Sequence, residues 1–498
     1  MDNMYSMLSL LEKLSVIFIF FIGLGVLAII YMYIVDRTQT KQAIRRNYPV
    51  IGRFRYLFEK QGEFFRQYFF SMDREELPFN RAERSWVYRA AKNVDRTIAF
   101  GSTRNIELTG TIMFMNCAFP TLEEDAVPPS TITFGDGCRE PYSTDSLFNI
   151  SAMSYGALSA PAVKALSNGA AKAGCWMNTG EGGVSEHHLA SGADLVYQIG
   201  TAKYGVRDEQ GQLCDKKLAE VAAKPQIKMF EIKMSQGAKP GKGGILPGNK
   251  VTAEIAKIRG IPQGEDSISP NAHPEIKSVQ DILVMVNRVR DVTGKPVGFK
   301  VVIGESLWLT ALLEEINSQG SEFAPDFITI DSADGGTGAA PQPLMDYVGL
   351  PLKESLPLVV NLLIKYGLRD RIRVICSGKL ITPSKVAWAL AVGADAVNSA
   401  RGFMFSLGCI QSLQCNKNTC PTGITTHNAK LQQGLDPADK AERVANYHKY
   451  VQYGVGLLAH SCGVKHARKL SRRHVRIIQD NGLSVALDKL YPYNHAEK

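Results

Sequence analysis

The sequence predicts an α/β protein in which a (β/α)8 TIM barrel follows an N-terminal transmembrane helix and a helical linker. Past residue 145, eight short apolar runs alternate with helix-compatible stretches, the pattern of parallel strands joined by helices. The 44 glycines and 23 prolines gather in short loops between apolar runs, as in α/β enzymes. Eight strand–helix units favour a closed barrel over the alternative, a doubly wound open sheet. The predicted segments are a transmembrane helix at 14–35, a helical or irregular linker at 36–145, the barrel at 146–430 and a C-terminal helical extension at 431–498.

The N-terminal apolar segment, residues 14–35, has 22 residues without a charge. At a rise of about 1.5 Å per residue, such a helix crosses a hydrocarbon layer of about 30 Å. Six Arg or Lys residues lie between 37 and 55. By the positive-inside rule, the sequence predicts a single-pass protein of the inner (cytoplasmic) membrane whose catalytic domain faces the cytoplasm. The alternative is a cleaved signal peptide, but the apolar run is too long and its basic flank is on the wrong side.

The linker is rich in Arg, Tyr and Phe between residues 39 and 100. This composition predicts helices whose aromatic side chains pack on the barrel or on the membrane interface. The net charge of +9 does not indicate nucleic acid, because the basic residues concentrate beside the apolar segment and near the C-terminus without an aromatic-interleaved motif.

The eight predicted strands each end in Gly, Ser, Asn or Asp, or shortly before one. They are residues 148–153, 175–180, 194–200, 228–234, 297–303, 326–331, 373–378 and 395–400. Glycine-rich loops follow several of them, including 180–183, 235–244 and 332–338. Such loops let the backbone approach a ligand closely and direct N–H groups at an anion, so they predict a phosphate-bearing cofactor at one rim. The run GAKPGK is not a complete Walker A loop, and the run GGTGAA is not a complete dinucleotide-binding fingerprint.

Three of the nine cysteines lie close together after the eighth strand. Cys409, Cys415 and Cys420 have the spacing C-x5-C-x4-C, and a proline follows the last. Thiolate is the ligand that iron–sulfur clusters require, and three thiolates suit a three-iron cluster. The alternatives are a zinc site with His427 as fourth ligand and unligated cysteines. The other cysteines are scattered, which is typical of a reducing compartment.

Several motifs resemble the FMN-binding synthase domain of glutamate synthase, here in a membrane-anchored, stand-alone form. The similar runs are SAMSYGALS, NTGEGG, EIKMSQGAKPGKGG, DSADGGTGAAP and CNKNTCPTG, within residues 149–428. The resemblance implies an oxidoreductase acting on CH-NH2 donors, with FMN and a [3Fe-4S] cluster. Such an enzyme reduces 2-iminoglutarate, made from 2-oxoglutarate and ammonia, to glutamate.

The same resemblance implies roles for particular residues. The implied catalytic residues have two functions. The cations that would hold the oxoacid carboxylates are Lys233, Lys239 and Arg259. Glu181 would place its carboxylate where ammonia meets the keto carbon. The residues implied in cofactor binding are Met153, Ser154, Asn178, Gln236, Lys300, Asp334, Gly335, Gly336, Gly378, Ala400 and Arg401. Lys379 stands where the family usually has a second glycine, and it adds a cation beside the expected phosphate.

One departure concerns the substrate. Ile245 stands where the family has a glutamine that contacts the oxoacid, so an amide hydrogen bond is lost and the oxoacid is left open. The expected partners are 2-oxoglutarate or a related oxoacid, an electron donor such as ferredoxin or a separate reductase, a separate glutaminase, and the membrane. Two alternatives stay open: an FMN and iron–sulfur oxidoreductase that exchanges electrons between another amino or oxo acid and a membrane carrier, and a non-catalytic redox sensor or scaffold.

Overall fold

The computed structural model describes residues 2–65, 69–94 and 97–493, and the chain divides into two units, Met1–Ala82 and Glu83–Lys498. The N-terminal unit contains α1 (Asp2–Thr38), α2 (Ala43–Asn47) and α3 (Gly52–Phe65), and α4 (Arg81–Ala91) begins at its end. The predicted segment 14–35 lies inside α1. By length and composition α1 can cross a membrane, and the apolar side chains of its central turns are exposed.

The second unit contains the remaining strands and helices. Its strands are β1 (Ile112–Phe114), β2 (Ile132–Phe134), β3 (Tyr142–Thr144), β4 (Phe148–Ile150), β5 (Met177–Asn178), β6 (Leu195–Ile199), β7 (Ile227–Lys233), β8 (Ile245–Leu246), β9 (Ser267–Ile268), β10 (Val297–Val302), β11 (Phe327–Asp331), β12 (Arg373–Ser377), β13 (Ala396–Ser399), β14 (Val475–Ile478) and β15 (Ser484–Ala486). Its helices after α4 are α5 (Ala160–Ala173), α6 (Glu186–Leu189), α7 (Asp215–Ala222), α8 (Ala253–Arg259), α9 (Val279–Thr293), α10 (Leu307–Gln319), α11 (Gln342–Tyr347), α12 (Leu352–Lys365), α13 (Pro383–Val392), α14 (Arg401–Ser406), α15 (Ala429–Gln432), α16 (Pro437–Ser461) and α17 (Leu487–Leu490).

Eight parallel strands form a closed barrel in the order β4, β5, β6, β7, β10, β11, β12 and β13, with β13 pairing back to β4. Each of the eight predicted strands contains one barrel strand or overlaps it closely, so the predicted TIM barrel is confirmed. Local signals set the helix ends. The Ser278 hydroxyl accepts the Asp281 N–H at the start of α9, and Gly294 ends that helix with a φ of +73°.

The lumen of the barrel changes from apolar to charged along the strands. Because side chains alternate across a strand, residues two apart face the same side. On β7, Met229 belongs to the apolar cluster near the strand starts, Glu231 follows, and Lys233 ends the strand. On β11, Phe327, Thr329 and Asp331 repeat that order. Charged groups therefore collect at the carboxyl ends of the strands, where barrels hold their active sites.

An antiparallel hairpin of β2 and β3 closes the opposite end of the lumen. Ile132, Phe134 and Tyr142 of the hairpin join the core cluster with Trp176 and with residues of the barrel strands. The Phe134 ring centroid lies 5.8 Å from that of Trp176, in an edge-to-face contact. This plug buries large apolar side chains at the starts of the strands, so among the described residues it covers the end of the lumen opposite the charged groups.

The regions outside the barrel contain short strands in addition to the helical and irregular segments expected from the sequence. The linker region 36–145 contains β1, β2 and β3 as well as helices. The extension after residue 430 contains α16 but also β14 and β15, which form a three-stranded antiparallel sheet with β1 in the order β1, β14, β15. These strands are three or four residues long, too short to show an alternating pattern.

Candidate functional site

A chain of polar contacts crosses the mouth of the barrel. It joins residues that were expected to bind substrate to residues that were expected to bind the cofactor. The Lys233 ammonium donates to Glu181 Oε1 over 2.7 Å and also to Gln236 Oε1. Gln236 Nε2 donates to Thr337 Oγ1 over 2.9 Å. Lys233 therefore joins Glu181, another expected substrate residue, to Gln236, an expected flavin residue. The substrate and flavin sites expected from the sequence would adjoin at Lys233.

Two glycines make room for Glu181. A Cβ atom at Gly200 would lie 2.6 Å from the Cβ of Glu181, and one at Gly244 would overlap its carboxylate. Burial raises the pKa of the Glu181 carboxyl, but Lys233, Lys239 and Arg259 outweigh burial and hold that pKa below its ordinary value. Glu181 is thus a carboxylate at neutral pH.

Lys239 is buried beside this pair, with 4% of its surface exposed. Among the described residues its ammonium group has no hydrogen-bond or ion-pair partner. Burial and the nearby Lys233 lower the pKa of Lys239 to about 8, although Glu181 opposes the shift. A desolvated cation of this kind gains from an anionic ligand.

Arg259 lies on the other side of Glu181 at the end of α8 and is 5% exposed. Its Nη1 donates to Ser267 Oγ over 3.1 Å, and its Nη2 donates to the Tyr155 carbonyl over 3.3 Å. The guanidinium carbon lies 5.2 Å from the centre of the Tyr204 ring. Its Nε is buried and has no partner within the part of the chain that the structure describes. Burial lowers the pKa of Arg259, and Tyr204 and Glu181 oppose that shift.

These four groups carry unbalanced charge. Lys233, Lys239 and Arg259 supply three cations and Glu181 supplies one carboxylate, so two positive charges are left in excess within a largely buried site. Burial of uncompensated charge is costly. A ligand with two carboxylates matches this excess.

Lys300 lies on β10, where it pairs in register with Lys233, and its Nζ is 3.3 Å from Asp331 Oδ2. Asp331 also accepts the Gly237 N–H over 2.9 Å and the Ser377 hydroxyl over 2.6 Å. Burial lowers the pKa of Lys300, but Asp331 and Glu231 outweigh burial and raise it above the ordinary value. Lys300 is therefore a fixed cation under the rim.

Glu231, which the sequence analysis did not single out, is the centre of a buried network. It accepts hydrogen bonds from Asn178 Nδ2 over 2.9 Å, from Gln198 Nε2 over 2.6 Å and from the Thr329 hydroxyl over 2.6 Å. The Asn178 oxygen accepts the Gly180 N–H over 3.0 Å. The Asn178 amide was expected to bind cofactor, but its nitrogen and its oxygen both have protein partners. Its contact with the Gly180 N–H positions the loop that carries Glu181. A lone carboxylate in the apolar run KMFEIKM was the available signal.

The expected phosphate-binding residues meet after β11, β12 and β13. Lys379 Nζ lies 2.9 Å from Asp334 Oδ2, and Arg401 Nη2 donates to the Asp334 carbonyl over 3.4 Å. A Cβ atom at Gly336 would lie 2.9 Å from Arg401 Nε. Gly378 has a φ of +142°, which only glycine adopts readily, and a side chain there would collide with Ser332. Gly335 lies in the same loop, and Ala400 immediately precedes Arg401.

Two charge effects act at this end of the site. Burial raises the pKa of Asp334, but the Ser332 hydroxyl and Lys379 outweigh it, so the Asp334 pKa lies below its ordinary value. Burial lowers the pKa of Arg401, and Asp334 and Asp331 oppose that shift. Two cations and a glycine-lined backbone at the ends of the last strands are the donor set that a phosphate requires.

Met153 and Ser154 follow β4 and touch the loop after β5. A Cβ atom at Gly180 would lie 2.5 Å from the Ser154 nitrogen, so the two loops pack backbone against backbone. Met153 is 8% exposed. Near the carboxyl ends of the strands, Met153 supplies an apolar side chain, Gln236 an amide and Lys300 a cation. This combination fits a flavin ring, which has an apolar edge and a polar pyrimidine side.

The cysteine loop lies beyond α14. Cys420 is buried and Cys409 and Cys415 are half-buried; the Gln411 N–H donates to Cys409 Sγ over 3.5 Å, and Cys420 Sγ lies 3.4 Å from Thr422 Oγ1. Gln411, Leu413 and Asn418 have φ angles of +58°, +55° and +58°. Left-handed non-glycine residues are strained and mark loops whose shape matters for function. Thiolate is the ligand type that an iron–sulfur cluster uses, so this loop supplies three candidate ligands.

A single-ion site is not seen in the same loop. In residues 2–65, 69–94 and 97–493, no three His, Cys, Asp or Glu side chains converge closely enough to hold one metal ion. His427, the alternative fourth zinc ligand, has its Nε2 2.9 Å from the Gly156 carbonyl. That nitrogen faces the backbone after β4.

Lys250 is a buried cation beside the cysteine loop, with 2% of its surface exposed. Its ammonium donates to the Ala157 carbonyl over 2.9 Å and to the Cys415 carbonyl over 3.2 Å. Burial lowers the pKa of Lys250 to about 8, whereas Cys415 and Cys420 act to raise it. Lys250 therefore joins the loop after β4 to the cysteine loop and places positive charge near the thiols.

The family model and the sequence relatives agree on one family. Residues 115–465 match the family described as the conserved region in glutamate synthase. The chain is 40% identical to the glutamate synthase large subunit-like protein YerD of Bacillus subtilis, over 95% of this chain and 97% of that protein. It is 35% identical to the archaeal glutamate synthase (NADPH) of Methanocaldococcus jannaschii, over 67% of this chain but 62% of the archaeal protein. A mutant flavocytochrome b2 with benzoylformate aligns over 84% of each chain with 14% identity and a TM-score of 0.47, too distant to bear on function.

Proposed function

The chain belongs to the glutamate synthase family, and on that premise we propose that its barrel is an FMN- and [3Fe-4S]-dependent oxidoreductase that reduces 2-iminoglutarate to glutamate. The observation that carries the proposal is the charge of the mouth: three buried cations surround one carboxylate, and the two positive charges in excess match the two carboxylates of 2-oxoglutarate. Lys239, which has no partner among the described residues, is the group that most needs an anion.

In this proposal Lys233, Lys239 and Arg259 hold the two carboxylates of the oxoacid. Glu181 lies against Lys233 at 2.7 Å and remains a carboxylate, so it can accept a proton from ammonia as the carbon–nitrogen bond forms. Bound FMN, held by Met153, Ser154, Gln236, Lys300 and the phosphate-binding loops, would supply the hydride that reduces the imine carbon.

The remaining residues fix this arrangement. Glu231 positions Asn178 and, through it, the loop that carries Glu181. Asp331 holds Lys300 in place as a permanent cation, which favours negative charge on a reduced cofactor. The three cysteines would hold the cluster at the side of the barrel, and Lys250 connects their loop to the residues after β4.

Electrons and ammonia have to reach the barrel from elsewhere. We propose that a ferredoxin, a separate reductase or a membrane carrier supplies electrons and that free ammonia or a separate glutaminase supplies nitrogen. The archaeal and archaeal-type relatives are named for NADPH, which supports a pyridine-nucleotide-dependent reductase as the first donor to test. We also propose that α1 crosses the cytoplasmic membrane with the barrel on the cytoplasmic side.

The test is a titration of the purified full-length protein in detergent, prepared without oxygen. Bound FMN and iron are counted first, and 2-oxoglutarate is then added while the flavin absorption bands are followed. A saturable change that is lost in Lys239→Ala but kept in Lys242→Ala would support the proposal; Lys242 is exposed and lies three residues away. Absence of flavin, or flavin that does not respond to 2-oxoglutarate, would refute it.

A second candidate function is supported by the rim of the mouth. Ile245 pairs with Ile268 in the short β8–β9 ladder, and these side chains are 41% and 64% exposed. An apolar rim favours an amino or oxo acid with a less polar side chain, and α1 would place the barrel beside a membrane electron carrier. In the same titration, a response to 2-oxo-4-methylpentanoate that exceeds the response to 2-oxoglutarate would favour this function.

A further inference from the structure

Helix α3 exposes an apolar face made of Ile51, which immediately precedes it, Phe54, Leu57 and Phe58. Their side chains are 73%, 54%, 46% and 63% exposed. Ile51, Phe54 and Phe58 have the spacing i, i+3, i+7, which places them on one side of the helix. The rings of Phe54 and Phe58 stack with centroids 6.3 Å apart. An exposed apolar patch of this kind marks a contact surface.

The end of α1 holds this aromatic face in place through Asp36, which has no exposed surface. Asp36 Oδ1 accepts Arg45 Nε over 2.8 Å, and its Oδ2 accepts Arg53 Nε over 2.8 Å and the Val50 N–H over 3.0 Å. Asp36 directly follows the apolar segment 14–35. α2 and α3 are therefore tied to the residue at which the apolar segment ends.

The segment around α2 and α3 is strongly basic. Residues 36–60 contain seven basic and two acidic side chains. Asp36 is shared between Arg45 and Arg53, so that group keeps a net positive charge. Other basic side chains of the segment are exposed, namely Arg37, Lys41, Arg46, Arg55 and Lys60. Acidic phospholipid headgroups are the complementary charge at a membrane surface.

We propose that α3 lies in the headgroup region of the membrane, with its aromatic face toward the acyl chains and its basic residues on acidic phospholipids. Three observations support a lipid occupant: the face continues from the end of an apolar helix, aromatic side chains favour the membrane–water interface, and the flanking charge is positive. The proposal rests on the proposed crossing of the membrane by α1 and adds a second contact that orients the unit on the surface.

The experiment uses full-length protein in nanodiscs that contain phosphatidylglycerol and brominated phospholipids. Tryptophan is introduced by Phe54→Trp or Phe58→Trp, and the wild-type signal from the four native tryptophans is subtracted. Tyr56→Trp is the matched control, because Tyr56 lies on the opposite side of α3 beside Arg53 and Gln42. Bromine quenches tryptophan only at short range, so quenching at 54 and 58 should be about threefold stronger than at 56.

Three results would overturn parts of the inference. Equal or absent quenching at all three positions in protein that has entered the nanodisc refutes an interfacial α3, whereas protein that fails to enter refutes the crossing by α1. Tryptophan emission at position 54 that does not depend on lipid but changes with protein concentration would show that the apolar face of α3 contacts a second copy of the chain.

The charge contribution has its own control. Replacing phosphatidylglycerol with phosphatidylcholine should reduce quenching at position 58, and the variants Arg46→Gln and Arg55→Gln should reduce it only when phosphatidylglycerol is present. Lys257→Gln removes an equal charge from an exposed site on the barrel and should change nothing. Quenching that is insensitive to acidic lipid would refute the headgroup contact.

Discussion

The ammonium group of Lys233 donates to Glu181 over 2.7 Å, so the carboxylate of the mouth is bound to one of the cations that would hold substrate. Glu181→Gln keeps the size of the side chain and removes its charge. We expect glutamate formation to fall about a hundredfold, the usual range for loss of an acid–base group. The spectral response to 2-oxoglutarate should persist, because Lys233 is released to bind the anion. The exposed Glu186→Gln is the control, and an unchanged rate in Glu181→Gln would leave Glu181 a structural residue.

Lys239 predicts the pH dependence of oxoacid binding. Its pKa of about 8 in the ligand-free protein means that the ammonium form dominates below pH 8 and is lost above it. An anion binds the ammonium form and stabilises it, so affinity is full below pH 8 and should fall by up to about tenfold per pH unit above it. Titrations between pH 6.5 and about 9.5 measure this fall. Lys239→Met should flatten the profile and Lys242→Met should not; a flat profile in the wild type would contradict the assignment.

The Glu231 network predicts a large loss of stability on removal of one buried carboxylate. Glu231→Ala leaves the donors of Asn178, Gln198 and Thr329 without their acceptor. We expect the free energy of unfolding to fall by about 3 kcal/mol or more, measured by urea denaturation of the detergent-solubilised protein. The exposed Glu220→Ala should lose less than about 0.5 kcal/mol. Equal losses in the two variants would show that the network contributes little.

Gly182 is predicted to be required for the position of Arg259. A Cβ atom at Gly182 would lie 2.9 Å from Arg259 Nη2 and 2.9 Å from the Cβ of Ser154. Gly182→Ala should therefore raise the KM for the oxoacid about tenfold, because the guanidinium has to move, with a smaller change in kcat. Gly137→Ala is the matched control, since a Cβ atom there meets nothing within 4 Å. An unchanged KM in Gly182→Ala would show that Arg259 does not bind the substrate.

Lys250 predicts the reduction potential of the proposed cluster. A buried cation near the thiols favours the reduced, more negative cluster. Lys250→Met keeps the length of the side chain and removes the charge, so the midpoint potential, followed by electron paramagnetic resonance during a redox titration, should shift to more negative values. Lys257→Met, at an exposed position, should leave the potential unchanged. A shift of equal size in both variants, or in neither, would contradict a direct effect of Lys250.

The barrel strands could be predicted because each is a short apolar run followed by a helix, and the pattern depends on local sequence. The run KMFEIKM, for example, lies within one residue of β7. The plug could not be predicted, since β2 and β3 have three residues each and their apolar side chains become meaningful only when Phe134 meets Trp176.

The candidate site also contains some features that could be predicted from the sequence and others that could not. Motif resemblance brought Glu181, Lys233 and Gln236 into one region, and the structure places them in contact. Resemblance did not indicate that the Asn178 amide contacts Glu231, or that Lys250 touches both the first barrel loop and the cysteine loop. Those contacts join residues 53 and 165 positions apart in sequence, and only the closed fold brings such residues together.

In the part of the chain that the structure describes, the β2–β3 plug covers one end of the lumen and leaves the charged end as the entrance. A small molecule that enters by this end would leave by the same route, so under the proposed function glutamate would depart before the next oxoacid binds. Binding and release at the charged end, rather than passage through the barrel, would then set the order in which reactants are exchanged. A partner protein that delivers ammonia or electrons would therefore have to dock where it leaves the charged end of the barrel accessible.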